Sequence, residues 1–183
     1  DIQADQAMRD ILSDLTRWQR DGGSIALATV IQTWGSAPRR AGSKMALTLN
    51  GKITGSVSGG CVENAVVEAG IESLKSKRPQ LLHFGVADET AWEVGLACGG
   101  SIDIFVNPLD EELFQSLHSA WTDEMQAVHV TMIRGSDEIL GCEMLILEDG
   151  NSKGSIGNEW NDAVLKIGKE VLLQGNSRCV TLS

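Results

Sequence analysis

Apolar residues near the start of the chain recur at the spacing of an amphipathic helix. Within residues 3–20 they fall three or four positions apart and would form one stripe, made of Ala7, Ile11, Leu12, Leu15 and Trp18. The segment ends in Asp-Gly-Gly, which is a common end of a helix. We therefore predict a helix over residues 3–20 that packs its stripe on the rest of the fold.

The following residues change to the patterning of strands and turns. Residues 24–34 (SIALATVIQTW) are apolar and β-branched and predict a strand, and GSAPRRAGSK predicts a loop. KMALTLNGKITGSV predicts a hairpin around Asn50 and Gly51. A helix from about Val62 to Lys77 should follow. Its inward-facing positions are Val62, Val66, Ala69 and Leu74.

The later part of the chain repeats this order in a degenerate form. The aligned pairs are Gly35 with Gly135, Met45 with Met144, Gly51 with Gly150, and Gly55 with Gly154. We predict two copies of a strand, hairpin and helix unit, at about residues 24–84 and 127–183, joined by a helix within residues 110–126. Neither copy alone buries much apolar surface, so we expect them to share a core in one domain, residues 1–183. The fold class is mixed α and β (α+β), with an N-terminal helix.

Composition narrows the classes of protein to consider. A 42% apolar content suits a folded domain, and a net charge of −10 disfavours binding to nucleic acid. No apolar run is long enough for a membrane span, and the first residues lack a secretory leader. The four cysteines include no CxxC pair, so reduced thiols are expected. We predict a cytoplasmic protein without a membrane or nucleic-acid partner.

Features present in only one copy are candidates for chemistry. Arg39 and Arg40 occur only in the first loop, and Gly59, Gly60 and Cys61 only in the first turn. Glycines before a helix expose unpaired amides and the positive end of the helix dipole, which can bind an anion. That field would lower the pKa of the thiol and suit it to a soft metal or an electrophile.

The first copy also has less specific interpretations. Cys61 could be a small buried residue that fills a turn, and the arginines could form salt bridges with neighbouring acids instead of binding phosphate. The segment DETAWEVGLACGGSIDIFV holds a second glycine-flanked thiol: Asp88 could cap a short helix ending near Gly95, before Cys98, Gly99 and Gly100 lead into a strand. A pocket shared with Cys61 and a structural turn are both open.

The remaining cysteines and the histidines carry weaker indications. Cys142 and Cys179 lie in strand-like stretches and are predicted to be core residues. His83, His118 and His129 form no spaced pair typical of zinc and are predicted to be structural or surface residues. A pairing of Cys61 with His83 would require the fold to bring them together.

Several enzyme templates do not match. A phosphatase-type thiol needs an arginine about six residues later, where this chain has Val67. No GxGxxG fingerprint and no GKS or GKT loop occurs, so the usual dinucleotide and nucleoside triphosphate motifs are missing from the sequence.

Three ordered motifs resemble the xanthine dehydrogenase accessory protein family, XdhC/CoxI. They lie in ATVIQTWGSAPRRAGSKMALTLNGKITGSVSGGCVENAVVEA and LHFGVADETAWEVGLACGGSIDIFV, and the resemblance is strong over about residues 24–107. It implies an accessory chaperone, not a turnover enzyme. The family's matching positions are Gly35, Ser36, Pro38 and Arg39, then Ser56, Ser58, Gly59, Gly60, Cys61 and Glu63, and last Cys98, Gly99 and Gly100.

The resemblance implies a function and its partners. Family members bind the molybdenum cofactor (molybdopterin, in some cases in a nucleotide form), protect it during sulfuration, and deliver it to the apo-enzyme of a molybdenum hydroxylase of the xanthine or CO dehydrogenase type. A cysteine desulfurase or another sulfur donor is then a partner. Many members continue into a Rossmann-like domain, whose GxGxxG this chain lacks.

Carried onto this chain, the cofactor's phosphate or pterin would be held by Arg39, with Arg40, and by the Gly59–Gly60 backbone. Cys61 would contact molybdenum or its sulfur, helped by Cys98. A homodimer is expected because duplicated folds often pair through similar surfaces. Two other functions stay open: a cysteine- or metal-dependent hydrolase of a small phosphorylated compound, and an interaction module whose glycines serve only turns.

Overall fold

The computed structural model describes residues 2–37, 39–85, 100–175 and 178–182. The predicted helix at 88–95 lies outside the described residues, as do the site candidates Pro38, Cys98 and Gly99. The described chain forms two compact units, one of residues Ile2–Leu109 and one that begins at Asp110. The prediction of a mixed α and β fold is confirmed, since helices alternate with antiparallel sheets in both units.

The N-terminal unit contains two helices and a five-stranded sheet. Its elements are α1 (Ile2–Arg20), β1 (Ile25–Trp34), β2 (Lys44–Thr48), β3 (Ile53–Gly55), α2 (Glu63–Ser76), β4 (Gln80–Phe84) and β5 (Ser101–Pro108). The helix at the start, the first strand, the hairpin and the second helix all lie within a few residues of their predicted bounds.

The sheet of this unit has the order β3-β2-β1-β5-β4, and every neighbouring pair is antiparallel. The alternating residues of β1, β2 and β5 that face α2 form an apolar cluster with it. This cluster includes Ala28, Met45, Ile104 and Val66, all at most 1% exposed. The helix α1 packs on β1, β2 and β3 through its predicted stripe, of which Ile11, Leu15 and Trp18 are buried.

The C-terminal unit is a smaller version of the same arrangement. Its elements are α3 (Glu111–Thr122), β6 (Ala127–Thr131), β7 (Glu143–Leu147), β8 (Ser152–Gly154) and α4 (Asn161–Gln174), with the sheet order β6-β7-β8. The helix α4 packs on β6 and β7. Met144, Ile146, Ile156 and Val164 form its buried cluster.

The strand registers and hydrogen bonds of the two units match residue by residue, as two copies of one unit would. Ala28 pairs with Met45, and Val130 pairs with Met144. The prediction of one core shared by the two copies stays a prediction. Each described cluster is built from residues of one unit, because each copy places its own helix over its own sheet.

Two glycines in each unit are required by close contacts. A Cβ on Gly55 or on Gly154 would lie 2.3 Å from a carbonyl oxygen, that of Lys44 or that of Glu143. On the helices, a Cβ on Gly70 would lie 2.5 Å from a methyl of Leu47, and one on Gly168 would lie 2.2 Å from a methyl of Ile146. The carbonyls leave no room for a side chain at Gly55 and Gly154, whereas at Gly70 and Gly168 an added Cβ would have to displace a side-chain methyl.

The antiparallel register gathers three of the predicted motifs at one end of the larger sheet. Strand β1 ends there at Trp34, opposite the first residue of β5, and β2 begins there after the loop of residues 35–43. Strand β3 ends there as well, opposite the start of β2, and leads into the turn before α2. Among the described residues, no helix is long and apolar enough to cross a membrane.

Candidate functional site

The turn between β3 and α2 is organised around the carboxylate of Glu63, the first residue of α2. Its Oε1 accepts hydrogen bonds from Ser56 Oγ at 2.8 Å, from the Ser58 amide at 3.0 Å and from the Val57 amide at 3.3 Å. Its Oε2 accepts from Ser58 Oγ and from the Gly60 amide, the latter at 2.8 Å. One side chain thus closes the whole turn.

These contacts determine the charge of Glu63. Burial alone raises the pKa of a carboxyl, but here it is outweighed by the hydroxyls of Ser58 and Ser56 and by the backbone amides. Together the hydrogen bonds lower the pKa of Glu63 to about 2. The turn therefore holds a carboxylate at any pH near neutrality.

The same contacts correct one prediction. The amides of the turn were expected to be unpaired, yet Gly60 donates to Glu63 and Gly59 donates to Ser56 Oγ at 2.9 Å. The amide of Val62 donates to Ser58 Oγ, also at 2.9 Å. The prediction that the Gly59 and Gly60 amides bind an external anion is therefore wrong, because both amides already have acceptors within the turn, one of them the carboxylate from the first residue of the helix.

Both glycines of the turn have a conformational role. The φ angles of Gly59 and Gly60 are 76° and 114°, in the region that other residues rarely adopt. They turn the chain between Ser58 and α2 and leave the next residue, Cys61, exposed to solvent. The interpretation of Cys61 as a buried turn filler is therefore wrong.

The sequence predicted that Cys142 and Cys179 are core residues, and this prediction is wrong for both. Cys142 lies just before β7, half-buried against the cluster of the C-terminal unit, and Cys179 lies after α4 and is exposed. Cys179 belongs to residues 178–182, which do not form a strand. Strand-like sequence did not produce burial here because no described strand pairs with this segment.

The loop of residues 35–43 carries the two arginines. Ser36, Arg39 and Arg40 are all exposed, and the Arg40 carbonyl accepts a hydrogen bond from the Ser43 amide at 3.1 Å. Gly35 begins the loop with a φ of 67°. Arg39 and Arg40 are thus exposed residues of a loop whose base is fixed by a backbone hydrogen bond.

Gly100 joins this loop to the third motif. A Cβ on Gly100 would lie 2.8 Å from the Trp34 carbonyl oxygen and 2.9 Å from the Ala37 nitrogen, so the two backbones are in close contact. The structure therefore brings Gly100 against the Gly35–Ser36 segment, which the sequence could not show.

A pair of residues that the sequence did not single out lies at the same end of the sheet. His83 of β4 stands directly opposite Asp103 of β5, with 2.6 Å between Nδ1 and Oδ1. The His83 ring also meets the ring of Trp34 edge-on, at a centroid distance of 6.2 Å. Asp103 is the only charged residue in the apolar segment SIDIFV, which is the one indication that the sequence offered.

The three histidines have separate environments. His83 pairs with Asp103, so the hypothetical pairing with Cys61 is not supported. His118 packs on Phe114 of α3 at a centroid distance of 6.3 Å, and His129 Nε2 lies 3.3 Å from Glu143 Oε1. No group of three or more His, Cys, Asp or Glu side chains placed to hold a metal occurs among the described residues.

Comparison with known proteins agrees with the motifs. Residues 18–85 match the model of the XdhC and CoxI family. The matched segment contains the arginine loop, the whole glycine turn, helix α2 and His83.

Curated relatives match about half of this chain. The molybdenum cofactor insertion chaperone PaoD of Escherichia coli K12 is 31% identical over 102 residues, which are 55% of this chain and 31% of PaoD. A protein of Bacillus subtilis 168 that is described as a probable xanthine dehydrogenase subunit is 33% identical over 95 residues, 50% of this chain and 28% of the relative. Protein YqeB of E. coli K12, described as uncharacterized, is 30% identical over 98 residues, 54% of this chain and 18% of the relative.

A solved structure shares the fold. A crystal structure described as a xanthine dehydrogenase from Bacillus halodurans superposes with a TM-score of 0.63 at 22% identity. The match covers 78% of this chain and 44% of that one. The alignments with the curated relatives cover less than a third of each relative's length, and the structural match less than half.

Proposed function

We propose that this protein is an accessory chaperone that binds the molybdenum cofactor, holds it while its sulfur is installed, and transfers it to the apo-enzyme of a molybdenum hydroxylase. The family match over residues 18–85 supports the accessory role, and so does the similarity to a protein named as a molybdenum cofactor insertion chaperone. The relative described as part of a xanthine dehydrogenase supports a hydroxylase as the client.

One observation carries this proposal: the family-matched turn presents Cys61 to solvent on a rigid backbone. The carboxylate of Glu63 fixes the turn on one side of Cys61, and α2 fixes it on the other. A fixed, exposed cysteine sulfur is a suitable ligand for a soft metal or for the sulfur bound to it. Cys61 is the residue that would contact molybdenum or the transferred sulfur.

The cofactor's phosphate requires cationic donors. The amides of Gly59 and Gly60 are occupied, so their part is to shape the turn, and Ser56, Ser58 and Glu63 lock it. We assign the phosphate to Arg39 and Arg40, whose guanidinium groups suit a bidentate contact with an anion. Ser36 and Gly100 belong to the adjoining backbone and would position this loop, and Cys98 and Gly99 remain candidates on the resemblance.

The partners follow from this function. A sulfur donor such as a cysteine desulfurase would act while the cofactor is held, and the cofactor could be molybdopterin or its nucleotide form. A homodimer and a cytoplasmic location remain predictions of the sequence.

The test is to express this chain in a host that makes the cofactor, purify it, and measure molybdenum and pterin per protein. Cys61→Ser should lose most of the bound molybdenum, because the soft ligand is gone. The matched control is Cys179→Ser, which removes another exposed thiol. Arg39→Ala with Arg40→Ala should weaken retention of the whole cofactor.

Three results would count against parts of this proposal. Equal molybdenum content in wild type and Cys61→Ser would remove Cys61 from the site. Turnover of a model phosphate ester by wild type, abolished in Cys61→Ser, would favour the hydrolase. Wild type that binds no cofactor and hydrolyses nothing would favour an interaction module.

A further inference from the structure

We propose that Trp34, His83 and Asp103 form a second ligand site, which takes a planar heteroaromatic compound with a ring N–H, such as a pterin or a purine. In this site the Nε2 of His83 accepts a hydrogen bond from the ligand, and the indole of Trp34 supports the ring. The site uses none of the residues assigned above to the cofactor's metal or phosphate, and only the choice of a pterin as probe rests on the proposed function.

The strand register places the three side chains on one face of the sheet. Asp103 is the direct partner of His83, and Trp34 is the direct partner of Ser101, two residues before Asp103 on β5. Alternate residues of a strand share a face, so all three project from the same side. The intervening residue Ile102 belongs to the cluster under α2, which shows that this side is the one opposite α2.

The pair with Asp103 orients the imidazole of His83. The Asp103 side chain is 7% exposed and the His83 side chain is 63% exposed, so a buried carboxylate holds a solvent-facing ring. At 2.6 Å the carboxylate accepts the proton of Nδ1. When Nδ1 donates to this carboxylate, Nε2 of the neutral ring is the nitrogen left to accept a hydrogen bond, and it belongs to a side chain that is mostly exposed.

Trp34 provides an apolar surface beside that acceptor. The residue is 44% exposed, which is unusual for a tryptophan at the end of a long central strand. Its ring and that of His83 meet at 63°, so they form two sides of a corner. An exposed indole can stack on a flat heterocycle whatever its substituents, because every such ring presents a π face.

Two glycines keep this corner open, and neither is required by a positive φ. A Cβ on Gly85 would lie 3.3 Å from His83 Nε2 and 3.1 Å from the Ser101 Cβ, which would crowd the acceptor. Gly100 allows the Trp34 carbonyl to approach within 2.8 Å of where its Cβ would be, which fixes the strand end that carries the indole. Gly85 and Gly100 are therefore explained by the close contacts around them and not by a backbone conformation that only glycine adopts.

The C-terminal copy lacks these features. Counted from the last residue of the preceding helix, Thr181 occupies the position of His83, and Leu182 that of Phe84. Phe84 and Leu182 each pack on the buried cluster of their own unit, which supports this alignment. The apolar residue is thus retained in both copies, whereas the imidazole and its carboxylate occur only in the first.

The experiment is a calorimetric titration of the whole chain with pterin and with guanosine, and ribose serves as the non-aromatic control, so that none of the probes carries a phosphate for Arg39 or Arg40. We expect the two aromatic probes to bind and the control to fail. His83→Gln and Trp34→Leu should each weaken binding at least tenfold. Gly85→Ala should also weaken it, although it leaves the His83–Asp103 pair intact. The matched control His118→Gln should bind like wild type.

A purely structural role for the pair predicts a different result. His83→Gln would then lower the melting temperature and leave the affinity of the folded protein unchanged, which would overturn the proposal. So would a wild type that binds neither aromatic probe, or that binds ribose equally well. Because these probes contain neither molybdenum nor phosphate, their binding is measured independently of the molybdenum retention tested above, so failure of the chaperone function and failure of this site can be told apart.

Discussion

The turn before α2 and the turn before α4 have the same backbone plan. Each follows a glycine that touches a strand carbonyl, and in each a serine amide donates to that carbonyl, Ser56 to Lys44 and Ser155 to Glu143, both at 3.0 Å. In each, the first residue of the helix reaches back to the amide after that serine, that of Val57 or that of Ile156.

The residue that closes each turn differs in charge. Glu63 accepts five hydrogen bonds, whereas Asn161 accepts from Ile156 at 2.9 Å and exchanges bonds with the Ser155 hydroxyl. The first turn is also one residue longer between these anchors, and it contains the two glycines that precede the exposed Cys61. The shared hydrogen bonds therefore belong to the fold of both units. The charge, the extra residue and the exposed thiol are specific to the first turn.

The largest effect should come from the glycines that both copies need. Gly55→Ala and Gly154→Ala each force a Cβ to 2.3 Å from a carbonyl at a positive φ, and each should destabilise its unit by about 3 kcal/mol. Hydrogen exchange resolved by residue would show which unit opens. Gly55→Ala should be the worse of the two, because its Cβ also meets Ile11 at 2.9 Å.

Gly51→Ala is the control for backbone strain alone. Gly51 has a φ of 76° but no atom within 4 Å of an added Cβ, so a cost of about 1 kcal/mol is expected. Equal losses for Gly51→Ala and Gly55→Ala would mean that the carbonyl contact does not matter.

The next largest effect concerns the charge of Glu63, which makes the stability of the first copy depend on pH. The folded-state pKa of Glu63, about 2, lies below its ordinary value of 4.5, so its contribution to stability is full above pH 4.5 and declines as the pH falls towards 2. Glu63→Gln should lower stability at pH 7 by about 1–2 kcal/mol, since a neutral amide replaces a carboxylate acceptor. It should also remove this share of the pH dependence in urea titrations at pH 7, 4.5 and 3.

Asn161→Ala is the matched change in the second copy. It should cost some stability but leave the acid dependence of the protein unchanged, because no proton is bound or released at Asn161. An acid dependence identical in wild type and Glu63→Gln would show that Glu63 does not titrate in this range.

The smallest effect concerns two equivalent hydrogen bonds, in which a threonine hydroxyl pairs with a lysine in one unit and with a glutamate in the other. Lys44 Nζ donates to Thr29 Oγ1 at 3.0 Å, and at the matching positions Thr131 Oγ1 donates to Glu143 Oε1 at 3.3 Å. Thr29→Val and Thr131→Val should each change stability by less than about 1 kcal/mol, because valine suits a strand and a single half-buried hydrogen bond is lost. A loss of several kcal/mol in either copy, measured by thermal unfolding, would contradict the equivalence.

Much of the fold could be predicted from local pattern. The stripe of α1, the Asn50–Gly51 hairpin and the inward face of α2 rest on residues a few positions apart, and the repeat was visible because glycines at tight contacts do not vary freely. The place of β5 was not predictable. It lies between β1 and β4, which come earlier in the sequence, and adjacency in a sheet follows no local periodicity.

The candidate site was likewise only partly predictable from the sequence. The sequence indicated Cys61 and the glycines, and the structure agrees that the thiol is accessible. It also indicated free amides, which was wrong: Glu63 was among the candidate residues, but its carboxylate was not recognised as the anion that would occupy them. Likewise His83 and Asp103 are twenty residues apart, and only strand pairing makes them partners.

The sequence by itself determined which segments form helices and strands, that the unit occurs twice, and which residue types are special to the first copy, because these follow from periodicity, glycine geometry and composition. Only the tertiary structure decided which donor meets which acceptor. A hydrogen bond depends on a few tenths of an ångström between groups that the register of distant strands brings together, and that register is set by the packing of the whole unit.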